Sequence, residues 1–570
     1  MERTHILALA GTLGAALAFA SSAHAATLTV INADDHGAGS LRSALLAAEQ
    51  HPSADIVKFD IPGKNLHTIK LDRDLPTLTR PVTIKGYSQD GASQATASEP
   101  AVLKVAIDAS NAMRGIDVGG DGIEIRGLEI DHAQGAGIYL EGDGNVAAGN
   151  AISRSLGDGV HVVGSGAVVG GPEPADANMI SGSDDDEIDV EAGSGHLVQG
   201  NLIGTDGTLD LSFATGVRLG APAVSVQDNV IAGEDTGVSV ESDGNSLSGN
   251  WIGINAAGTA ALPNWHGIVV AGSRNTIDDG NVISGNWFEG IDLQDSASVN
   301  EIDGNLIGTN ASATAGVANG TVGVGPGVRI DGADSTTLRA NVISGNAGHG
   351  VQISGEGADR NLLLGNWIGT DKTGALALGN RSGVEIEAGA DGNGVGDTTL
   401  AGANTIARNR ENGVAILDGT GNSVVDNSIH DNGELAIDLG DDGPTGNDGD
   451  DKDKGPNDFQ NGPEIDSATA TGVDWTLDTD ATSTYRLEFY ANDSCNRFGV
   501  SEAQTYLGAY IAHTDANGED DGHTETLFPA GTGKDVTMTA TKIVPTMIDG
   551  KIVQAPSSTS EVSPCEQAGS

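Results

Sequence analysis

Between about residues 115 and 440, apolar residues come in runs of three to five, mostly β-branched, separated by Gly, Asn and Asp. None of these runs is long enough for a regular helix. Short alternating runs bounded by turn residues predict strands. Many open with Gly-Ile/Val-x-Ile/Leu/Val, at Gly137, Gly159, Gly216, Gly237, Gly267, Gly290, Gly327, Gly350, Gly383 and Gly413. The intervals are 22, 57, 21, 30, 23, 37, 23, 33 and 30 residues. The 57 divides into 28 and 29 if Glu187-Ile-Asp-Val is a degenerate copy. Two further phrases interleave with these. Asn281-Val-Ile-Ser-Gly-Asn286 returns intact at Asn341–Asn346, with looser copies starting at Asn178, Asn229 and Asn404. Asn201-Leu-Ile-Gly-Thr returns from Asn250, Asn305 and Asn366.

Self-similarity at this period predicts a solenoid. With strands this short, each coil of about 22 residues holds three strands and three turns, and successive coils stack at roughly 4.8 Å. Side chains alternate along a strand, so Ile291 and Leu293 are expected to point inward and Asp292 outward. The recurring Asn is expected at a bend, bonded to backbone groups of its own turn and of the next coil.

These repeats resemble the right-handed parallel β-helix repeat proteins of bacteria, within the pectin-lyase-like superfamily. The flanks carry the resemblance further. Thr29-Val-Ile-Asn-Ala-Asp-Asp, Gly39-Ser-Leu-Arg-Ser-Ala-Leu and Ile56-Val-Lys-Phe-Asp-Ile-Pro-Gly63 are similar to that family's N-terminal segment. The stretch Asp438–Asn457, then Asn461-Gly-Pro, is similar to its exit segment. The resemblance implies an all-β chain: a right-handed parallel β-helix with an N-terminal helical cap, followed by a small antiparallel β-sandwich. The superfamily contains lyases, hydrolases, epimerases, adhesins and proteins without an assigned activity, so it implies no single chemistry.

Residues 1–25 read as a secretory signal, with Arg3, an apolar stretch Ile6–Ala20 and Ala23-His-Ala25 as the cleavage site. No later segment is long and apolar enough to span a bilayer. The expected location is therefore periplasmic, cell-surface or extracellular. Cys495 and Cys565 both fall in the last segment, and in an oxidising compartment they are expected to pair; two free thiols are the alternative. Lys and Arg total 28 against 80 Asp and Glu, a net charge of −52. Such a field disfavours nucleic acid and anionic membrane as partners. It would also repel polyuronates unless cations bridge them. The acidity reads either as a solvated surface or as calcium binding.

The chain divides into the signal (1–25), a cap with the first coils (26–100), the β-helix (101–440), an acidic Asp/Gly/Asn linker (441–464) and the β-sandwich (465–570). In the cap, Ser40 is expected to N-cap a helix over 41–49, with Leu41, Ala44, Leu45 and Ala48 on the face that plugs the core. In the sandwich, three strictly alternating runs begin at Tyr485, Thr505 and Val536, and Asp515-Ala-Asn-Gly reads as a hairpin turn.

Candidate chemistry lies at three places. Asp448, Asp450, Asp451 and Asp453 crowd a Gly/Pro loop, and calcium takes six to eight hard oxygens from such loops. The EF-hand's terminal Glu is missing, and a plain acidic linker is the competing reading. The second place is the outward column, where Tyr139, His161, Asp189 and Arg218 fall on four successive coils, flanked by Asp158 and Asp184–Glu187. A polyuronate lyase or epimerase needs a base for the C5 proton and a cation or Arg to neutralise the sugar carboxylate. Arg218 with calcium could neutralise; His161 or Tyr139 could be base or acid. A charge ladder on an exposed sheet face is the alternative. Third, Trp251 and Trp367 follow Asn in the second phrase and offer surfaces for sugar stacking, or else pack beneath the loops that follow.

Two family signatures fail. The pectin hydrolases place paired aspartates one coil before Gly-His-Gly. Here Asp184–Asp186 and Gly348-His349-Gly350 stand about 165 residues apart. The Asp-Pro-His motif of alginate epimerases is absent. The reading is an exported β-helix scaffold, a non-catalytic surface or extracellular protein contacting glycans or other cells. The alternative is a lyase or epimerase acting on an acidic polysaccharide with calcium.

Overall fold

The computed structural model describes residues 25–51, 53–204, 214–398, 401–449, 451–469, 471–494, 502–525, 535–548 and 551–567. The expected signal segment, Cys495 and Asp450 lie outside these residues, apart from Ala25. Three long parallel sheets of 15, 14 and 13 strands run the length of the repeat region. Each coil contributes one strand to each sheet, and register is kept from coil to coil. Ile125 pairs with Ala147, Ile152 with Ile180, and Val160 with Ile188. The Glu187-Ile-Asp-Val copy is a true coil, with its strand Ile188–Val190 pairing on both sides.

The inward residues form one continuous column of Ile, Val and Leu from Val30 to Leu439. Ile291 and Leu293 are fully buried within it. The asparagines build the corners. At one of them Asn178, Asn201, Asn229, Asn250, Asn281, Asn305, Asn341, Asn366 and Asn404 stand in a single file. Asn250 Nδ2 donates to Asn281 Oδ1 at 3.0 Å and to Val226 O at 2.8 Å, and the backbone N–H of Asn250 donates to the same Asn281 oxygen at 2.9 Å. The two Asn phrases of the sequence are therefore one corner on successive coils. Separate files at the other corners run through Asn264, Asn286, Asn319, Asn346, Asn380 and Asn409 and through Asn361, Asn393 and Asn422. A buried amide normally lacks water to satisfy it; stacking each amide on the next satisfies it coil by coil.

Both ends are covered. The N-terminal helix is Leu41–Ala48, with the Ser40 hydroxyl accepting from the Ser43 N–H at 3.2 Å and Leu41, Ala44, Leu45 and Ala48 buried. At the far end Asn457 caps an Asn file, accepting from Asn422 N–H at 2.9 Å. Beyond it stand a three-stranded and a five-stranded antiparallel sheet. They are tied to the last coils by Arg486 to Asp426 (2.7 Å), Asp426 N–H to Glu488 (3.0 Å) and Val424 N–H to Thr559 Oγ1 (2.9 Å). One expectation is corrected here. The Asp515–Gly518 turn is not a hairpin within one sheet. Thr505–His513 pairs with Thr484–Asn492, whereas Glu519–Glu525 pairs with Gly472–Asp478, so the turn carries the chain between sheets. Turn residues report a reversal, and the partner of each strand is chosen by side-chain packing instead.

Candidate functional site

The outward column exists as a physical ladder in the 13-stranded sheet. Tyr139 pairs with His161, His161 with Asp189, and Asp189 with Arg218. Asp117 precedes them and Ser239 follows. The Tyr139 and His161 rings lie 5.0 Å apart and nearly parallel. The Arg114 guanidinium covers the other face of Tyr139 at 3.4 Å and bonds Asp117 at 2.5 Å.

His161 is held at both ring nitrogens. Nδ1 lies 2.7 Å from Asp158 and 3.3 Å from Asp189, and Nε2 lies 2.8 Å from Glu191. Two nitrogens facing carboxylates are both donors, which is the imidazolium form. Burial works against that charge, but the Asp158 and Asp189 carboxylates outweigh it and raise the pKa to about 10. Arg218 forks onto Glu241 at 2.7 and 3.1 Å and reaches Asp189 at 3.2 Å. Beside this ladder, oxygens of Asp158, Asp185 and Asp186 lie within 4.8 Å of one another. Burial and the neighbouring carboxylates push Asp186 up to about 7, against a hydrogen bond from Thr215. A shallow cleft of about 240 Å³ opens here, bounded by Met113, Arg114, Tyr139, Asp158 and His161.

The acidic turn is folded. Oxygens of Asp448, Asp451 and Asp453 lie within 4.8 Å of one another. Asn461 N–H and Thr479 Oγ1 donate to Asp451 at 3.0 and 2.8 Å. Burial nevertheless raises the Asp451 pKa to about 6. Asp453 Oδ1 is buried without a hydrogen-bond partner. An all-oxygen set suits a hard cation such as calcium.

Trp251 and Trp367 lie in the 14-stranded sheet, apart from the ladder. Gly258 of the loop after Trp251 packs on its indole, and Lys372 Nζ sits 5.7 Å from the Trp367 ring centroid. The sequence reading missed Glu191 and Glu241, although alternation was the signal: each lies two residues beyond an outward position, Asp189 and Ser239. It also missed a second group, in which Trp265, His266, Trp287 and Phe288 pack together on consecutive coils. There the signal was an aromatic after register-equivalent Asn264 and Asn286.

Comparison with known families gives two matches. The model described as right handed beta helix region covers residues 114–263, and that of the periplasmic copper-binding protein (NosD) covers 223–390. No curated protein matches the chain. Solved structures similar to it include the A-module of mannuronan C-5 epimerase AlgE4 from Azotobacter vinelandii. That structure is 14% identical, with 72% of this chain and 96% of that one covered and a TM-score of 0.36. Dettilon tailspike protein (gp208) is 13% identical, with 91% and 76% covered and a TM-score of 0.33. Pectate lyase Pel9A is 15% identical, with 57% and 80% covered and a TM-score of 0.27.

The residues do not fit copper. Span 223–390 contains no Cys or Met, and its two histidines, His266 and His349, lie three coils apart. Each already faces a glutamate, Glu289 at 3.0 Å and Glu385 at 3.2 Å. Copper sites draw on clustered imidazole and sulfur ligands. With its three in-register sheets and its match to the β-helix family model, the chain is a right-handed parallel β-helix protein carrying antiparallel sheets at its C-terminal end.

Proposed function

We propose that this protein is an exported scaffold whose long polar faces contact glycans or other cells without turning them over. The observation that carries this reading is the state of His161. A base must be free to take a proton near the working pH. His161 already holds two, between three carboxylates, and gives one up only near pH 10. Arg218, the residue expected to neutralise a sugar carboxylate, is engaged by Glu241 and Asp189. The Ala23-His-Ala25 pattern and the periplasmic family description support export.

The test is a panel of acidic and neutral polysaccharides with the mature chain, in calcium and in chelator. Ultraviolet absorbance follows unsaturated uronate ends, and solvent-deuterium incorporation at C5 follows epimerisation. The scaffold reading expects no signal in either. A calcium-dependent rise lost in His161→Ala, Asp189→Ala and Arg218→Ala would sink it and establish a lyase or epimerase. That second reading is favoured by the carboxylates of Asp158, Asp185 and Asp186 beside the cleft, which could hold the bridging cation.

The proposal includes a structural calcium ion at Asp448, Asp451 and Asp453, with Asp450 adjacent in sequence. The unpartnered Asp453 oxygen supports it. Loading should raise the melting temperature of the wild type and leave that of Asp451→Asn unmoved; equal shifts in both, or none in either, would refute it.

A further inference from the structure

Two of the chain's five tryptophans stand one coil apart at the same corner. Trp265 and Trp287 follow Asn264 and Asn286, whose amides stack at 3.1 Å. The indoles meet edge to face at 5.3 Å, Phe288 lies 5.6 Å from Trp265, and the His266 ring stacks on Phe288 at 5.1 Å. All four side chains are only half-buried. In a chain that is 3% aromatic, this is a concentration of ring surface left facing solvent. Val322 and Val324, 46% and 57% exposed, extend the apolar surface from the neighbouring glycine-rich loop, where Val322 N–H bonds Trp287 O at 2.9 Å.

The polar half of the site lies along the next strand, Ile291–Leu293. Asp292 is 7% exposed, and its Oδ1 has no hydrogen-bond partner. Its other oxygen accepts from Gln294 at 3.2 Å. Arg329 Nε faces Oδ1 at 4.0 Å, beyond hydrogen-bond reach. A buried carboxylate oxygen without a hydrogen bond costs on the order of 1–3 kcal/mol, so a donor brought to it is well rewarded. Arg329 stands between Glu289 (3.8 Å) and Asp292 (4.0 Å), so a guanidinium already faces these carboxylates.

We infer that this ledge binds a neutral hexose oligosaccharide, one ring laid on Trp287 and Phe288 and a hydroxyl of a later unit donating to Asp292 Oδ1. A pyranose presents a C–H face for aromatic packing and hydroxyl donors around its rim, which matches the two halves of the site. Phe288 stands four residues before Asp292, in the bend that leads into the strand Ile291–Leu293. The two therefore lie at most about 14 Å apart, within reach of a chain of roughly two or three sugar units. An anionic sugar is opposed by the net charge of −52. A cation is opposed by Arg329 and by His266, whose pKa Glu289 raises against burial. The inference rests on the glycan-contact reading and names its ligand class and its place.

The experiment titrates the full mature chain with gluco-, manno- and galacto-configured mono- and trisaccharides, read by tryptophan fluorescence and calorimetry. At least one trisaccharide should bind more tightly than its monosaccharide. Trp287→Ala and Phe288→Ala should each weaken binding roughly tenfold, the loss of about one aromatic contact. Asp292→Asn should weaken it too, and Phe288→Tyr should retain it. Melting temperatures identify any variant that fails to fold, and the conservative pair then decides. Binding that ignores all these substitutions overturns the ledge and leaves the glycan-contact reading standing. So does binding confined to calcium-bridged acidic polysaccharides. Competition by tetramethylammonium would make the ledge a cation site and overturn it. Binding of no saccharide, neutral or acidic, removes the ledge together with the glycan part of the proposed function.

Discussion

At the scale of single residues, the ladder around His161 makes pH predictions for two neighbours whose substitutions should act with opposite sign. The folded pKa of His161 is raised from 6.5 to about 10. Its stabilisation is therefore complete below about pH 6.5 and is lost as pH rises towards 10. His161→Asn should lower the chemical-denaturation midpoint strongly at pH 6, and the gap to wild type should narrow by pH 10. Asp186 titrates in the same sense, but burial and the neighbouring carboxylates oppose its charge, so its substitution acts in the opposite direction. Its folded pKa is raised from 3.8 to about 7, so its favourable contribution is complete below about pH 3.8 and is lost as pH climbs through 7. Asp186→Asn should then stabilise the protein at pH 8, by about 2–4 kcal/mol, and change little at pH 4. A midpoint unaltered at pH 8 would mean that the Asp158–Asp185–Asp186 group is relieved by other means, a bound cation among them.

At the scale of the element, the unit of construction is the corner. Asn305 accepts from Asn281 at 2.9 Å, donates to Ile277 O at 2.8 Å and hands on to Asn341 at 3.1 Å. Asn305→Leu takes from Asn281 one of its three acceptors, Leu247 O and Asp278 O remaining, and takes from the buried Ile277 carbonyl its Asn305 donor. It should cost about 2 kcal/mol. Gly350→Ala should be as damaging, because its Cβ would sit 2.6 Å from Gly383 O; urea titration measures both. Much of this was legible in the chain. The Gly-x-x-x openers located the strands of the 13-stranded sheet, and alternation put Tyr139, His161, Asp189 and Arg218 in one file. What remained hidden depended on knowing which corner an Asn occupies. Trp251 and Trp287 both follow a buried Asn in sequence and both are half-buried, yet Gly258 of a following loop packs on the first, whereas the second meets Trp265 of the coil before it edge to face. Likewise, Glu191 reaches His161 across a coil 30 residues long, a partnership that no local spacing announces.

At the scale of the molecule, the stack has open ends in three sheets, and each end presents unpaired strand edges. The Leu41–Ala48 helix covers one. The antiparallel sheets cover the other, with Tyr490, Ala503 and Val562 joining the main core and Ile429 bridging to Ala503. A chain ending at residue 463 should therefore associate in a concentration-dependent way, visible by light scattering, where the full chain does not. The −52 charge is spread along such a stack as mutual repulsion between chains, so added salt should sharpen that association.

Because every corner hands its hydrogen bonds to the equivalent corner of the next coil, length is a countable property here. Residues 328–350 make one whole turn of the stack, including one member of each corner file (Thr336, Asn341 and Asn346), and Val328 already pairs with Val351. Excising them joins Gly327 to Val351 and leaves every file continuous. Such a protein should remain folded and be shorter by a single rise of about 4.8 Å. Evolution can adjust this rod in the same increments, adding or dropping rungs to set the distance between its two ends.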